Sequence, residues 1–225
     1  WGWKRHGELV PGDFVYSPDG APRRVLDVTP CVFEKSYEVV FDDGVALISG
    51  AGHLWAVERD SGRAPRKIRE RRREVVETTE LSSGSAPQSK HLGRADRIPL
   101  SNAVKFPPRR LLIEPYLFGV WLGDGTSADG GITIGEEDAA SFIGLGPYTR
   151  REPSGYGKQA IYHITPEGLR TGLRVLGLLG NKHIPADYLE ASVEQRWELL
   201  RGLMDTDGTC GKEGACSFVS KWSHL

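Results

Sequence analysis

The chain of 225 residues carries 39% hydrophobic and 26% charged side chains and a formal net charge of −1, proportions of an ordinary folded protein with room for one large or two small domains. No apolar run approaches the roughly 20 residues of a membrane-crossing helix and no signal peptide is visible, so no membrane partner is expected. Three cysteines, Cys31, Cys210 and Cys216, form no C-x-x-C pair; the odd count indicates neither a zinc site nor a disulfide framework, and a cytoplasmic location is the default expectation.

Residues 1–58 alternate short strand-like runs (GELVPGDFVYSPDG, PRRVLDVTP, SYEVVFDDGVALISG, HLWAVER) with PGD, PDG and DDG turns, the pattern of an all-β module. His53 sits in one such run, where it serves either chemistry or the packing of a strand end. Residues 59–110 hold fourteen basic and six acidic side chains, led by RKIRERRR, together with the flexible composition SSGSAPQS. They read as a basic linker in which Arg71, Arg72 and Arg73 either add salt-sensitive affinity for DNA phosphates or keep the segment solvated.

Two nine-residue stretches, LFGVWLGDG (117–125) and LRGLMDTDG (200–208), share Leu, Gly, Asp and Gly at positions one, three, eight and nine. Each predicts a helix stopped by a glycine, the residue that most easily adopts the left-handed closing conformation, and each places an aspartate, Asp124 or Asp207, at the last helical position. A helix C-terminus already bears partial negative charge, so a carboxylate there is misplaced unless a cation faces it. Gly119 and Gly123 share one helical face, as do Gly202 and Thr206, and small residues at that interval let two backbones approach closely. Packed along that seam, the helices bring Asp124 and Asp207 together as a divalent-metal site. The alternative is a pair of unrelated amphipathic helices with ordinary glycine stops.

Asp205 adds a third acid but faces elsewhere on its helix. Between the motifs, GGITI predicts a strand, EEDAASFIGLG a short helix, and residues 148–165 a long hairpin broken at SGYGK. Arg150, Arg151 and Lys158 flank that turn, as DNA-phosphate contacts or as solubilising charges. A helix is expected over 166–180, then NKHIPADYL, the second motif helix, and one further strand over 215–220.

The paired motifs resemble the LAGLIDADG (DOD-type) motif of homing endonucleases, and GWKRHGELVPGDFVYSPDG and GAGHLWAV resemble segments of the Hint domain of self-splicing inteins. The resemblance implies an α+β chain: a partial Hint β-module over 1–58, the basic linker over 59–110, and over 111–225 an αββαββα half-domain plus the first helix of a second half. It implies Mg²⁺-dependent, site-specific cleavage of double-stranded DNA within a protein-splicing element whose exteins are partners in cis. Asp124 and Asp207 are then catalytic metal ligands, Lys182 of NKHIP the cationic catalyst, and His53 the histidine that promotes peptide cleavage. On the residues alone, Lys182 is otherwise a surface lysine before a proline turn. A splicing element with a decayed endonuclease and a non-catalytic nucleic-acid binder are the alternatives. Departures from the pattern imply a fragment truncated at both ends: no nucleophile precedes Trp1, Gly50 replaces a threonine, SFVSKWSHL replaces a terminal His-Asn, and only seventeen residues follow Gly208.

Overall fold

The computed structural model describes residues 4–30, 34–60, 71–81, 96–152 and 159–220. The chain divides into two compact units, Trp1–Ala103 and Val104–Leu225. In the first, β1 (Phe14–Tyr16) and β2 (Pro22–Arg24), β3 (Ser36–Val40) and β4 (Ala46–Gly50), and β5 (Leu54–Asp60) and β6 (Arg71–Glu77) form three antiparallel two-stranded ladders. Gly20 and Gly44 take φ of 79° and 86°, the left-handed backbone that the PDG and DDG turns require. Trp55, Val57 and Val76 form a small core with Val39, Phe41 and Leu81 packed against it. Its polar centre is Thr78, whose Oγ1 accepts from the Trp55 indole at 2.9 Å and donates to the His53 carbonyl at 3.3 Å.

The basic linker expected over 59–110 is corrected by this unit. Residues of β6 pair with β5 from Leu54↔Glu77 to Asp60↔Arg71, and charges that read as solvated are taken up across the strands. Arg73 Nε donates to Glu58 at 2.9 Å, while Arg59 binds Asp96 at 2.7 Å and Glu74 at 3.3 Å. Opposite charges facing each other across a ladder stabilise the pairing rather than the solvated coil. The boundary between units falls after Ala103, not at residues 58 and 110.

The second unit opens with an irregular strap, residues 104–113. There follow α1 (Pro115–Asp124), β7 (Ile132–Gly135), α2 (Ala139–Phe142), the hairpin strands β8 (Tyr148–Arg151) and β9 (Ile161–Ile164), α3 (Leu169–Val175), α4 (Ala186–Leu189), α5 (Val193–Asp207), and a last hairpin of β10 (Gly208–Cys210) and β11 (Cys216–Phe218). The central sheet is antiparallel in the order β7–β9–β8. Among the described residues one strand follows α1, where the αββαββα expectation places a pair. The helix expected over 166–180 is confined to α3, because Gly177 and Gly180 take positive φ (68° and 74°) and turn the chain away.

Both motif helices have starts written into the sequence. The Glu114 carboxylate accepts from the amides of Tyr116 at 3.0 Å and Leu117 at 2.8 Å ahead of Pro115, and Ser192 with Gln195 forms a reciprocal capping box on α5. The helices run in the same direction and touch backbone to backbone. A Cβ on Gly119 would lie 2.9 Å from Gly202 Cα, and one on Gly202 would lie 2.7 Å from the Val120 nitrogen. Phe118, Val120, Trp121 and Leu122 on α1 and Leu199 and Leu203 on α5 join Ile132, Ile134, Ile164, Leu173 and Tyr188 in one core. The strap is pinned beside it. Tyr188 Oη donates to the Ile113 carbonyl at 2.8 Å, Gln195 Nε2 donates to the Arg109 carbonyl at 2.7 Å, and the Arg109 guanidinium binds Glu190 at 2.6 Å.

Two further expectations are corrected. Gly125 and Gly208 close their helices in extended backbone, with φ of −75° and −88°, so they are not left-handed caps. What they supply is space: a Cβ would lie 2.6 Å from Trp121 Cγ at position 125 and 2.5 Å from Met204 Cα at position 208. Cys210 and Cys216 face each other in the β10–β11 register, 4.2 Å apart at Cα, and form a disulfide that the odd cysteine count concealed.

The backbone contact predicts a steep response to one methyl group. Gly202→Ala destabilises the chain by about 2–3 kcal/mol in urea unfolding, because no flexible side chain can retreat from the added Cβ. Gly144→Ala, where a Cβ meets nothing within 4 Å, stays within about 0.5 kcal/mol of the parent. Equal stabilities for the two variants contradict the packing.

Candidate cation site and nucleic-acid contacts

Because α1 and α5 run side by side in register, they end together. A Cβ on Gly123 would stand 2.8 Å from Thr206 Cβ and 3.6 Å from Asp207 Oδ2, so the carboxylate of one motif lies against the last turn of the other. Asp124 is half-buried, and Asp207 is exposed and lines a cavity of about 410 Å³ together with Gly123, Thr126, Ser127, Lys182 and Ser220. Burial pushes the Asp124 carboxyl above the usual carboxylate range; the Asp207 carboxylate pushes it the same way, Lys182 pulls it back, and Asp138 adds to the rise. Two acids therefore meet where two helix C-termini already concentrate negative potential, which Lys182 only partly offsets.

Lys182 is 3% exposed. Its Nζ donates to the carbonyls of Trp121 at 2.7 Å, Leu122 at 3.0 Å, Gly123 at 3.2 Å and Gly125 at 2.7 Å, and stands 4.8 Å from the centre of the Trp121 ring. These carbonyls lie at the C-terminal end of α1, that of Trp121 also accepting from the Gly125 amide at 2.9 Å, so a side chain from a distant loop closes α1 and matches its dipole. The reading of Lys182 as a surface lysine before a proline turn is corrected accordingly, while the cationic-catalyst role expected of it is neither shown nor contradicted by these contacts. An ammonium with three protons shared among four carbonyls holds the end of α1, and with it Asp124, in place.

Among the described residues no group of three or more His, Cys, Asp or Glu could hold a metal. The neighbouring carboxylates of Asp124 and Asp207, of which Asp207 lines the cavity, suit a hard cation such as Mg²⁺, which takes one or two protein carboxylates and fills its other positions with water and phosphate. The pair lacks the nitrogen and sulfur donors of a structural zinc site. Asp205 turns away from the pair and accepts from Tyr116 Oη at 3.0 Å; burial and that hydrogen bond push the Tyr116 phenol up to about 12.

The basic residues divide. Arg150, expected as a DNA-phosphate contact, forms exposed ion pairs with Glu136 at 2.8 Å and with Glu152. Arg151 is exposed, and strand alternation puts it on the other face of β8. Arg72 lies 3.4 Å from Glu74 and Arg73 2.9 Å from Glu58, so both are paired, whereas the side chain of Arg71 and all of Lys158 lie outside the described residues. His53 is exposed and edge-on to Trp55 at 5.2 Å; it is its carbonyl that Thr78 engages. Sequence reasoning missed the two residues that organise the site, Thr126 and Trp121. Trp121 Nε1 donates to the Thr126 carbonyl at 3.1 Å, and the only local signal is their position beside the first motif's Asp-Gly.

No protein-family profile matches the chain. It is similar to the replicative DNA helicase DnaB of Mycobacterium intracellulare, at 36% identity over 229 residues and 96% of its own length. It is also similar to the replicative DNA helicase DnaB of Mycobacterium leprae, at 34% identity over 55 residues and 24% of its length. The chain spans 37% of the first relative and 9% of the second. The match across nearly the whole chain overturns the assignment to an intein fragment carrying a LAGLIDADG homing endonuclease, since the protein it aligns with is named a replicative DNA helicase. The functions drawn from that resemblance, protein splicing and site-specific double-strand cleavage, are withdrawn with it.

The raised pKa of Asp124 makes the site a liability for the fold. The folded chain holds this proton more tightly than the unfolded chain, so ionisation destabilises the fold above the raised pKa, and the penalty fades as pH falls through it toward the ordinary 3.8. In chelator at neutral pH, Asp124→Asn therefore melts a few degrees above the parent, and the difference narrows on acidification. Identical melting temperatures across that range contradict the crowding of charge.

Proposed function

We propose that this chain is part of a DnaB-type replicative DNA helicase, and that its second unit contacts the DNA backbone through a divalent cation held by Asp124 and Asp207. The observation that carries this is the convergence of two carboxylates at the ends of α1 and α5, in a chain similar over 96% of its length to a DNA enzyme. Carboxylates alone repel a phosphodiester. When bound, Mg²⁺ supplies the positive centre that reverses this, because an ion of charge two dominates the local field and coordinates phosphate oxygens.

The residues of the chain do the rest. Lys182 fixes the end of α1, the Gly119 and Gly202 contact fixes the spacing of the two acids, and the small polar residues Thr126, Ser127 and Ser220 leave room for water or phosphate in the cavity. Arg151 on the exposed face of the sheet, and Lys158 beyond β8, add longer-range attraction to the backbone. The sequence spells no G-x-x-x-x-G-K-[ST] phosphate loop, so what is proposed for this chain is DNA contact rather than nucleotide hydrolysis. No helix among the described residues is long and apolar enough to cross a membrane, and a cytoplasmic setting suits the DNA partner.

Fluorescence anisotropy of the purified chain with short single- and double-stranded oligonucleotides tests the proposal. Binding strengthens at least tenfold on replacing chelator with Mg²⁺, and Asp124→Asn and Asp207→Asn each abolish that gain. Affinity indifferent to Mg²⁺ and to both substitutions, on either form of DNA, overturns it.

A further inference from the structure

We infer that the Cys210–Cys216 disulfide is a redox staple that sets how tightly a cation is held by Asp207, on its cavity, and the neighbouring Asp124. The inference rests on the proposed cation site and adds a regulatory device that the site alone does not require. β10 begins at Gly208, the residue after Asp207, and Val219 and Ser220, the residues after β11, line the cavity on which Asp207 and Lys182 open. The hairpin thus joins one metal-binding acid to one wall of its own site.

That hairpin has little else to hold it. Its strands are three residues each and pair only with one another, and isolated two-stranded hairpins are marginal in water. Phe218, partly buried against the core, anchors one end, and the Thr209 and Ser217 hydroxyls meet at 2.8 Å on the ladder. The disulfide joins the directly opposed pair at the far end of the ladder from Phe218. With the bridge closed, the cavity wall stays against the end of α5; with it open, the wall and the backbone carrying Asp207 gain freedom that cation binding must then remove.

Both cysteines are exposed, so a dithiol reductant reaches them. One thiolate of the reductant attacks a cysteine sulfur, the protein S–S bond breaks and a mixed disulfide forms. The second reductant thiol then displaces the remaining cysteine, leaving two protein thiols and one oxidised reductant disulfide, a two-electron exchange.

Terbium is the probe, since the indole of Trp121 hydrogen-bonds to Thr126 on the cavity wall and is placed to sensitise its emission. The full chain is titrated with Tb³⁺ in its air-oxidised form and after dithiothreitol treatment and anaerobic desalting. Thiol titration of the same samples gives one free thiol per chain before reduction and three after. Affinity falls at least fivefold on reduction, and a Cys210→Ser, Cys216→Ser double variant binds like the reduced parent whatever the redox condition. Equal Tb³⁺ affinity in both states overturns the staple and leaves the cation site standing. Absence of Tb³⁺ binding in either state overturns both, and three free thiols in the air-oxidised chain overturn the staple directly.

Discussion

Contact between the backbones of α1 and α5 at Gly119 and Gly202 is the constraint on which the second unit depends. Ordinary helix pairs keep their axes about 8–10 Å apart by interposing side chains; here neither position tolerates even a methyl group. Two parallel helices held that closely, in register, end at the same level. Their last residues, Asp124 and Asp207, are then forced into one another's field. The acidic pair is therefore a consequence of packing, and the packing is specified by glycines whose substitution the neighbouring backbone cannot absorb.

The same geometry creates a problem that the fold solves in part. Helix C-termini carry leftover carbonyls and negative potential, and adding two carboxylates makes this worse. Lys182 answers the first part by placing a buried ammonium among four carbonyls at the end of α1, so the helix closes without a left-handed residue. The second part Lys182 only partly offsets, and the Asp124 carboxyl is pushed upward by burial and by Asp207. Sites that work by charge are commonly assembled at the expense of stability in just this manner.

What was legible in the sequence follows from which interactions are local. The turns of the first unit and the small-residue seam of the motif helices are encoded within a few residues, and each has a clear physical signature; the caps at Glu114 and Ser192 are equally local but were not read. Long-range pairing was not legible. RRREVVE has the charge of a solvated linker until β5 supplies Glu58 opposite Arg73. Lys182 looks like a surface lysine until α1, about sixty positions earlier in the chain, offers its carbonyls. Cys210 and Cys216 look unpaired because a third cysteine makes the count odd, although a hairpin turn at Gly214, with φ of 83°, brings them face to face. Function was the least legible of all: the motif resemblance pointed to a DNA-cleaving insertion, whereas across nearly its whole length the chain is similar to a protein named a replicative DNA helicase, of which it spans 37%.

Whether the two packed helix ends together hold the proposed cation is decided by locating the ion. Crystals of the full chain soaked in Mn²⁺, which shares the oxygen-ligand preference of Mg²⁺, should give an anomalous peak between the carboxylates of Asp124 and Asp207 that vanishes in Asp207→Asn crystals. Well-ordered crystals with Mn²⁺ bound elsewhere, or with a peak unchanged by the substitution, contradict the account.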